Sequence, residues 1–509
     1  MKAPGSGTEG EMLLGIDLGT STVKAALFTP EGDLVGLESE EYLLLGQSDW
    51  AEADPQLYWD PVVHSIRRLV ASIGRPERIV AVSTSTFGES IFPLHADGSP
   101  VRPSISWMDM RSGEEAAFLA REIGVRRLQE ISGQADINAT WPATKFLWMA
   151  RHEPEAFART AKFLLPDDYL LFRLSGVQVA EHSMWGSSLV FDIRTRQWAE
   201  PVLELLGIQT SRLPVPTPTG TLIGTISDST ARATGLSPRT KVVAGAMDQM
   251  CAAVGAGNIR PGILTESTGT VIALLATIET PIFDANTKIP CHLHAVPGTY
   301  CLLPWSPTGG MVLKWFKDRF GEKEVEEAAA KGADPYDLLC DQAAGVPPAC
   351  DGLTLLPFFE GAGFPEFLPN ARGVLFGLTL RHGKAHIIRA ILESIAYMVR
   401  ADVEALRRVG VTPDEIRVLG GGAKSRLWCQ IKADVLGLPV VIPEVTEAAA
   451  LGAAIIASVG AGIHPDFPAA VAAMTRPGSK LAPQAENALA YAEGFGTYQR
   501  LFERVRDLF

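Results

Sequence analysis

Leu13-Leu-Gly-Ile-Asp17-Leu-Gly19-Thr20-Ser21-Thr-Val-Lys24-Ala-Ala-Leu-Phe28 reads as a strand, a tight turn and a second strand. Residues 13–16 and 23–28 are apolar, and Pro30-Glu-Gly-Asp33 punctuates the next turn. Gly19 permits a tight turn and close approach of a ligand. Thr20 and Ser21, with their backbone N–H groups, put several donors into one small concavity, which suits phosphate. Lys24 adds a positive charge, and Asp17 at the strand end is placed to hold Mg²⁺ directly or through water. The plainer alternative is a hairpin with a polar turn and no ligand.

No Gly-x-x-x-x-Gly-Lys-Ser/Thr precedes a helix here, so this is not a Walker-type phosphate loop. A β-hairpin gripping phosphate instead resembles the actin/Hsp70/sugar-kinase ATPase superfamily. The chain has 509 residues, 47% hydrophobic and 20% charged, enough for two or more domains with their own cores. A net charge of −13 argues against nucleic acid as a partner, because phosphate backbones are met by dense Lys and Arg. The six cysteines are dispersed, with no Cys-x-x-Cys pair, which argues against zinc and points to a reducing cytoplasm. Residues 1–12 read as a disordered tail without the apolar core of a signal sequence. Residues 448–463 are too short to span a bilayer and read as a packed core helix, so no membrane partner is expected.

In chain order, residues 56–73 have helical apolar spacing, and residues 78–83 form a buried strand ending in Ser83-Thr-Ser-Thr-Phe-Gly88-Glu89-Ser90. Strand ends in open α/β sheets are where ligands bind. Trp107-Met-Asp109-Met-Arg111 follows a short strand. It either lines a polar pocket or supplies a helix cap, Asp109, and a salt bridge from Arg111. Residues 241–257 give a buried strand and then a helix whose first residues are Asp248 and Gln249. Asp248 is a preferred helix-capping type and also a candidate general base for an acceptor hydroxyl; the two roles are compatible. Gln249 can hydrogen-bond a neighbouring hydroxyl.

Leu264-Thr-Glu-Ser-Thr268-Gly269-Thr270-Val-Ile-Ala-Leu repeats the Gly-Thr turn between apolar strands. Two such hairpins suggest related halves gripping one phosphate chain, although as an internal repeat the match is weak. Gly309 and Gly310 open a helix, which favours phosphate. Gly420-Gly421-Gly422-Ala423-Lys-Ser425 follows a strand, and its missing side chains leave room for a ring or ribose against backbone. Residues 469–509 read as a mostly helical tail.

Taken together, the ordered motifs resemble the FGGY carbohydrate kinases, most closely the xylulokinase-like branch. They are Gly15-Ile-Asp-Leu-Gly-Thr-Ser, Trp50-Ala-Glu-Ala-Asp-Pro, Trp107-Met-Asp-Met-Arg, Met247-Asp-Gln, Ser267-Thr-Gly-Thr, Ala371-Arg-Gly-Val-Leu-Phe-Gly-Leu, Gly420-Gly-Gly-Ala-Lys-Ser and Glu447-Ala-Ala-Ala-Leu-Gly-Ala-Ala. The resemblance implies an α/β fold of two ribonuclease-H-like domains with a central cleft. Residues 13–254 would form the sugar-binding domain and residues 255–509 the nucleotide-binding domain. It implies Mg²⁺ and ATP, with an open-chain sugar or polyol as acceptor. By position, Asp17 matches the metal-side carboxylate and Asp248 the catalytic base. Gly19, Thr20, Ser21 and Lys24 match the first phosphate loop, Thr268 to Thr270 (with Gly269 between them) the second, and Gly310 a phosphate contact. Gly421, Gly422, Ala423 and Ser425 match the adenosine motif, while Glu89, Trp107 and Gln249 fall at sugar-side positions. Homodimers are common in the family, but no stretch here declares an interface.

Two departures weaken the match to xylulose as substrate. Phe87-Gly88-Glu89-Ser90 stands where D-xylulose kinases usually have Gln-Met-His-Gly, and Gly361-Ala-Gly-Phe-Pro365 where the family has Gly-Glu-Arg-Thr-Pro. Glu89 is similar to the hydroxyl-accepting carboxylate of glycerol kinases. Gluconate, glycerol, erythritol and ribulose therefore stay open as acceptors, and a non-sugar ATP switch is the competing class.

Overall fold

The computed structural model describes residues 10–43, 46–47 and 50–509. The first nine residues of the expected tail, Leu44, Leu45, Ser48 and Asp49 lie outside them. Contacts divide the chain into two compact units. The first is Met1–Ile259, Ile278–Cys301 and Glu447–Arg476; the second is Arg260–Thr277, Leu302–Thr446 and Pro477–Phe509. The chain therefore passes between units more often than a single cut after residue 254 anticipates.

In the first unit, β1 (Met12–Leu18), β2 (Thr22–Phe28) and β3 (Leu34–Glu41) form the antiparallel edge of a sheet. Helix α1 (Pro55–Ile73) follows. Asp54 caps it by accepting from the Gln56 N–H at 2.8 Å, Pro55 fits its first turn, and Gly74, at φ 63°, ends it. Tyr58, Trp59, Val62, Val63, Ile66 and Leu69 are its buried positions; full burial of such side chains contributes roughly 1.5–3 kcal/mol each. Strand β4 (Ile79–Thr86) lies parallel to β1 and runs three residues beyond the expected end. Helix α2 (Pro142–His152) belongs to the same unit. Strands β5 (Leu222–Thr225), β6 (Lys241–Val243) and β7 (Ala246–Met247) complete a seven-stranded sheet in the order β5-β6-β4-β1-β2-β3, with β7 also on β4. Helix α3 (Asp248–Gly255) starts directly after β7.

The second unit repeats the pattern. β8 (Ile263–Thr268) and β9 (Ile272–Ile278) form a hairpin, and β10 (Trp305–Ser306) pairs antiparallel with β9. Helices α4 (Met311–Phe320), α5 (Pro335–Ala344) and α6 (Lys384–Arg408) follow. Strand β11 (Glu415–Gly420) lies parallel to β8. Beyond it come helix α7 (Arg426–Leu436) and the parallel strand β12 (Val440–Ile442). The chain then returns to the first unit as helix α8 (Ala448–Gly460). Its backbone lies directly on β1: a Cβ at Gly15 would sit 1.9 Å from the Ala450 carbonyl oxygen, so only glycine fits there. β13 (Ser479–Leu481) pairs antiparallel with β12 and interrupts the tail that reads as helical; helix α9 (Ala488–Val505) ends it. Among the described residues no helix is long and apolar enough to cross a membrane.

Candidate active site

In the first unit, three adjacent strand ends gather the carboxylates. β1, β4 and β7 run parallel, with Asp17 opposite Ser85 and Ser85 opposite Ala246. Asp17 therefore sits at the end of β1, Glu89 three residues beyond β4, and Asp248 just after β7. That is the carboxyl edge of a parallel sheet, where side chains from different strands converge. The Ser85 hydroxyl donates to Asp17 Oδ1 at 2.8 Å. All three carboxylates keep a partly exposed edge.

Burial raises the Asp17 pKa to about 6, against the Ser85 hydrogen bond and the Lys24 charge. Burial, then the charge of Asp17, raises that of Asp248 to about 7. Glu89 is also pushed upward by burial, opposed by a hydrogen bond from Ser187 and the charge of Lys145. Asp248 thus feels both of the other carboxylates, and burial makes ionising all three costly. A divalent cation beside Asp17 would relieve that cost, so the residues fit Mg²⁺.

Asp248 occupies the first turn of α3, where Met247 is the cap residue, and its own Oδ1 accepts the Gln249 N–H at 2.6 Å. Glu89 holds a left-handed backbone, φ 57°, and accepts the Ser187 hydroxyl at 2.7 Å. A non-glycine residue in that region is strained, which is a common mark of functional positions. Lys145 on α2 is fully buried and donates to the carbonyls of Ala139 and Thr140. Its ammonium is brought down to about 7 by burial, despite the charges of Asp109 and Glu89. The Trp107 N–H of the backbone donates to Ser90 Oγ at 2.9 Å, and its indole nitrogen has no partner among the described residues.

Asp109 and Arg111 form a buried bidentate pair, at 2.8 and 2.6 Å. Arg111 also reaches Glu52 at 2.5 Å and stacks 3.7 Å over Trp50. The salt-bridge reading holds, while the cap reading does not: the next helix starts at Gly113 with Ser112 as its cap residue.

The first phosphate-loop candidates lie on the β1–β2 turn. The Gly19 N–H is taken by the Thr22 carbonyl at 3.0 Å, which closes the turn. Thr20 is half-buried and Ser21 exposed. Lys24 is not a free charge: its ammonium meets Glu447 Oε2 at 2.6 Å.

The second unit holds a cavity of about 250 Å³. Gly269, Thr270, Gly310, Gly421, Gly422 and Ser425 all line it; Ala423 does not. The Gly310 N–H is committed to the Gly269 carbonyl at 2.8 Å, so it fixes the hairpin instead of facing the cavity. Lys314, Tyr336 and Trp428 also line the cavity and went unread in the sequence. For Trp428 a signal existed: it follows Ser425 by three residues on α7, and Ser425 Oγ caps that helix by accepting the Trp428 N–H at 3.3 Å. The Ser187 and Glu447 contacts carried no local signal, since each of these residues meets its partner across the fold.

Residues 12–255 match the N-terminal domain of the FGGY family of carbohydrate kinases, and residues 265–461 its C-terminal domain. The chain is similar to the xylulose kinase of Bacillus subtilis (strain 168), with 28% identity over 498 residues and 97% of each chain covered. It is similar to the gluconokinase of the same strain, with 31% identity over 461 residues, covering 90% of this chain and 89% of that one. Its fold matches the crystal structure of xylulose kinase from Rhodospirillum rubrum, with a TM-score of 0.89 and 28% identity, covering 98% and 99% of the two chains.

Proposed function

From the premise that the chain belongs to the FGGY family of carbohydrate kinases, we propose that it transfers the γ-phosphoryl group of ATP to a hydroxyl of a neutral sugar or polyol. The observation that carries this reading is Asp248, a carboxylate whose pKa lies at about 7 at the edge of a parallel sheet, coupled to Asp17 and Glu89. A general base works best when its pKa lies near the working pH. Asp248 accepts the hydroxyl proton, the acceptor oxygen bonds to the γ-phosphorus, and ADP leaves with the broken P–O bond. Asp17 is the residue that would hold Mg²⁺, which when bound offsets negative charge on the phosphates. Thr20 and Ser21 on one hairpin, with Gly269 and Thr270 on the other, supply donors to the phosphates. The glycine-lined cavity takes the adenosine.

On the acceptor side we assign Glu89, Trp107 and Gln249. Glu89 accepts hydroxyl hydrogen bonds, and the indole N–H of Trp107 is a donor in search of a partner. The charge balance favours a neutral acceptor. Asp248 feels the charges of both Asp17 and Glu89, the Arg111 charge is spent on Asp109 and Glu52, and burial holds the Lys145 ammonium down at about 7, so that much of it is neutral. An aldonate carboxylate would face net repulsion there. The test is ADP release from Mg-ATP with D-xylulose, L-xylulose, D-ribulose, glycerol, erythritol and gluconate. Stimulation by a neutral member supports the reading. Stimulation by gluconate alone overturns the neutral-acceptor assignment, and ATP turnover that no acceptor changes overturns the kinase assignment.

A further inference from the structure

Beneath the cavity of the second unit lies a closed polar ring. Lys432 on α7 donates to Glu266 Oε2 at 2.5 Å and to Thr268 Oγ1 at 3.0 Å, and the Thr268 hydroxyl donates to Glu266 Oε1. All three side chains are buried, with Glu266 and Lys432 fully so. Glu266 and Thr268 alternate on β8 and so share one face of the strand.

The topology does not demand this ring. Counting back from the shared Gly-Thr, Thr268 corresponds to Leu18 of the first hairpin and Glu266 to Ile16, and both of those are buried apolar residues. An apolar filling therefore serves the same strand position, and a buried ion pair is seldom the more stable filling.

Thr268 instead lines the cavity itself and touches two of its walls, the hairpin turn and the glycine segment. It is the last residue of β8, before Gly269 and Thr270. Its backbone pairs with Gly420, and a Cβ at Gly422 would lie 2.8 Å from the Thr268 Cβ. The glycine segment thus rests on this side chain. The Lys432 ammonium also sits 4.9 Å from the ring of Trp428, one helical turn away, and Trp428 lines the cavity.

We infer that Lys432 and Glu266 are positioning residues for the nucleotide. By holding the Thr268 hydroxyl in one orientation they set the 268–270 turn, the glycine segment and Trp428 at a fixed separation. Nucleotide affinity depends on them, while the chemical step at Asp248 does not. The inference rests on the kinase reading above, and the experiment separates the two.

The variants are Thr268→Val, which keeps the shape and deletes the hydroxyl, Thr268→Ser, which keeps the hydroxyl, and the double variant Glu266→Gln/Lys432→Met, which removes both charges so that neither is left buried alone. ADP binding by calorimetry, KM for ATP, KM for the acceptor and kcat are measured for each. Thr268→Val and the double variant are expected to weaken ADP binding and raise KM for ATP about tenfold, and the double variant, which touches no ligand, to leave kcat and acceptor KM within about twofold of wild type. Thr268→Ser is expected to restore wild-type ADP affinity. Wild-type ADP affinity in Thr268→Val overturns the inference, as does a change in it that falls equally on kcat and acceptor KM. Should the double variant fail to fold, Thr268→Val carries the test. Failure of the kinase reading shows separately, as wild-type protein whose ADP release no acceptor stimulates, and ADP calorimetry still reads the ring.

Discussion

The two hairpins share a strand pattern and differ in the residues that stand at their strand ends. In each unit an antiparallel hairpin flanks a parallel strand, then a second parallel strand, then an antiparallel edge: β2-β1-β4-β6-β5 in one and β9-β8-β11-β12-β13 in the other. Yet Asp17 stands where the second hairpin has Ser267, and Lys24 faces Asp17 across β2 where Ala273 faces Ser267. The first unit collects acids of raised pKa at its strand ends, whereas the second collects glycines around a cavity and buries one ion pair beneath it. A backbone architecture can therefore be repeated while the residues at the strand ends diverge, and those residues are where a functional difference has to be sought.

The sharpest way to break this comparison is Asp248→Asn. The variant keeps size and hydrogen-bonding capacity but cannot take a proton, so kcat is expected to fall about 10²–10⁴-fold, with ADP binding unchanged. Stability should move the other way. The Asp248 pKa is raised in the folded state, so its ionisation opposes folding as pH rises from about 4 towards 7. The Asn variant should thus melt higher than wild type at pH 8 and gain nothing at pH 4. Wild-type kcat in this variant would remove the base from the first unit and end the division of labour.

Much of this division was legible in the sequence, because it rests on short-range signals. Gly19, Gly269 and the 420–422 run mark turns in any context, and alternation of apolar residues around them fixes the strands. Asp17 and Asp248 stand out as carboxylates directly after apolar strands. What the sequence hid are the pairings made across the fold. Lys24 reads as a free cation, but its partner Glu447 is brought back by α8, a helix whose motif belongs by sequence to the second half. Glu266 and Lys432, far apart in the chain, meet at full burial. Asp109 reads as a cap because such residues commonly are caps. Here the backbone N–H of Ala51 and the Arg111 guanidinium occupy it instead.

A smaller expected effect sharpens the electrostatic side of the comparison. Protonated Asp248 cannot act as a base, and its raised pKa keeps it protonated close to neutrality. Acceptor kcat/KM measured from pH 5 to 9 should therefore be level above about 7 and fall about tenfold per unit below it. It should fall more steeply near 6, where Asp17 also protonates. The two acids are coupled, so the two breaks belong to the pair. A flat kcat/KM profile would mean that neither acid titrates in the working range.

The smallest expected effect contrasts the two lysines. Lys24–Glu447 is a partly exposed pair, at 37% and 18% side-chain exposure, whereas Lys432–Glu266 has none. An exposed pair contributes about 0.2–1 kcal/mol, because water and salt screen it; removing one member of a buried pair costs about 3–5 kcal/mol. Glu447→Gln should therefore lower the denaturation midpoint only slightly, and Glu266→Gln substantially. The asymmetry bears on function as well as stability. On the proposed reading, a weak partner leaves the Lys24 ammonium able to exchange Glu447 for a phosphate oxygen, while Lys432 leaving its ring would strand Glu266 as a buried unpaired charge. If Glu447→Gln proves as costly as Glu266→Gln, Lys24 is as structural as Lys432, and the phosphate donors of the first hairpin reduce to Thr20, Ser21 and the backbone.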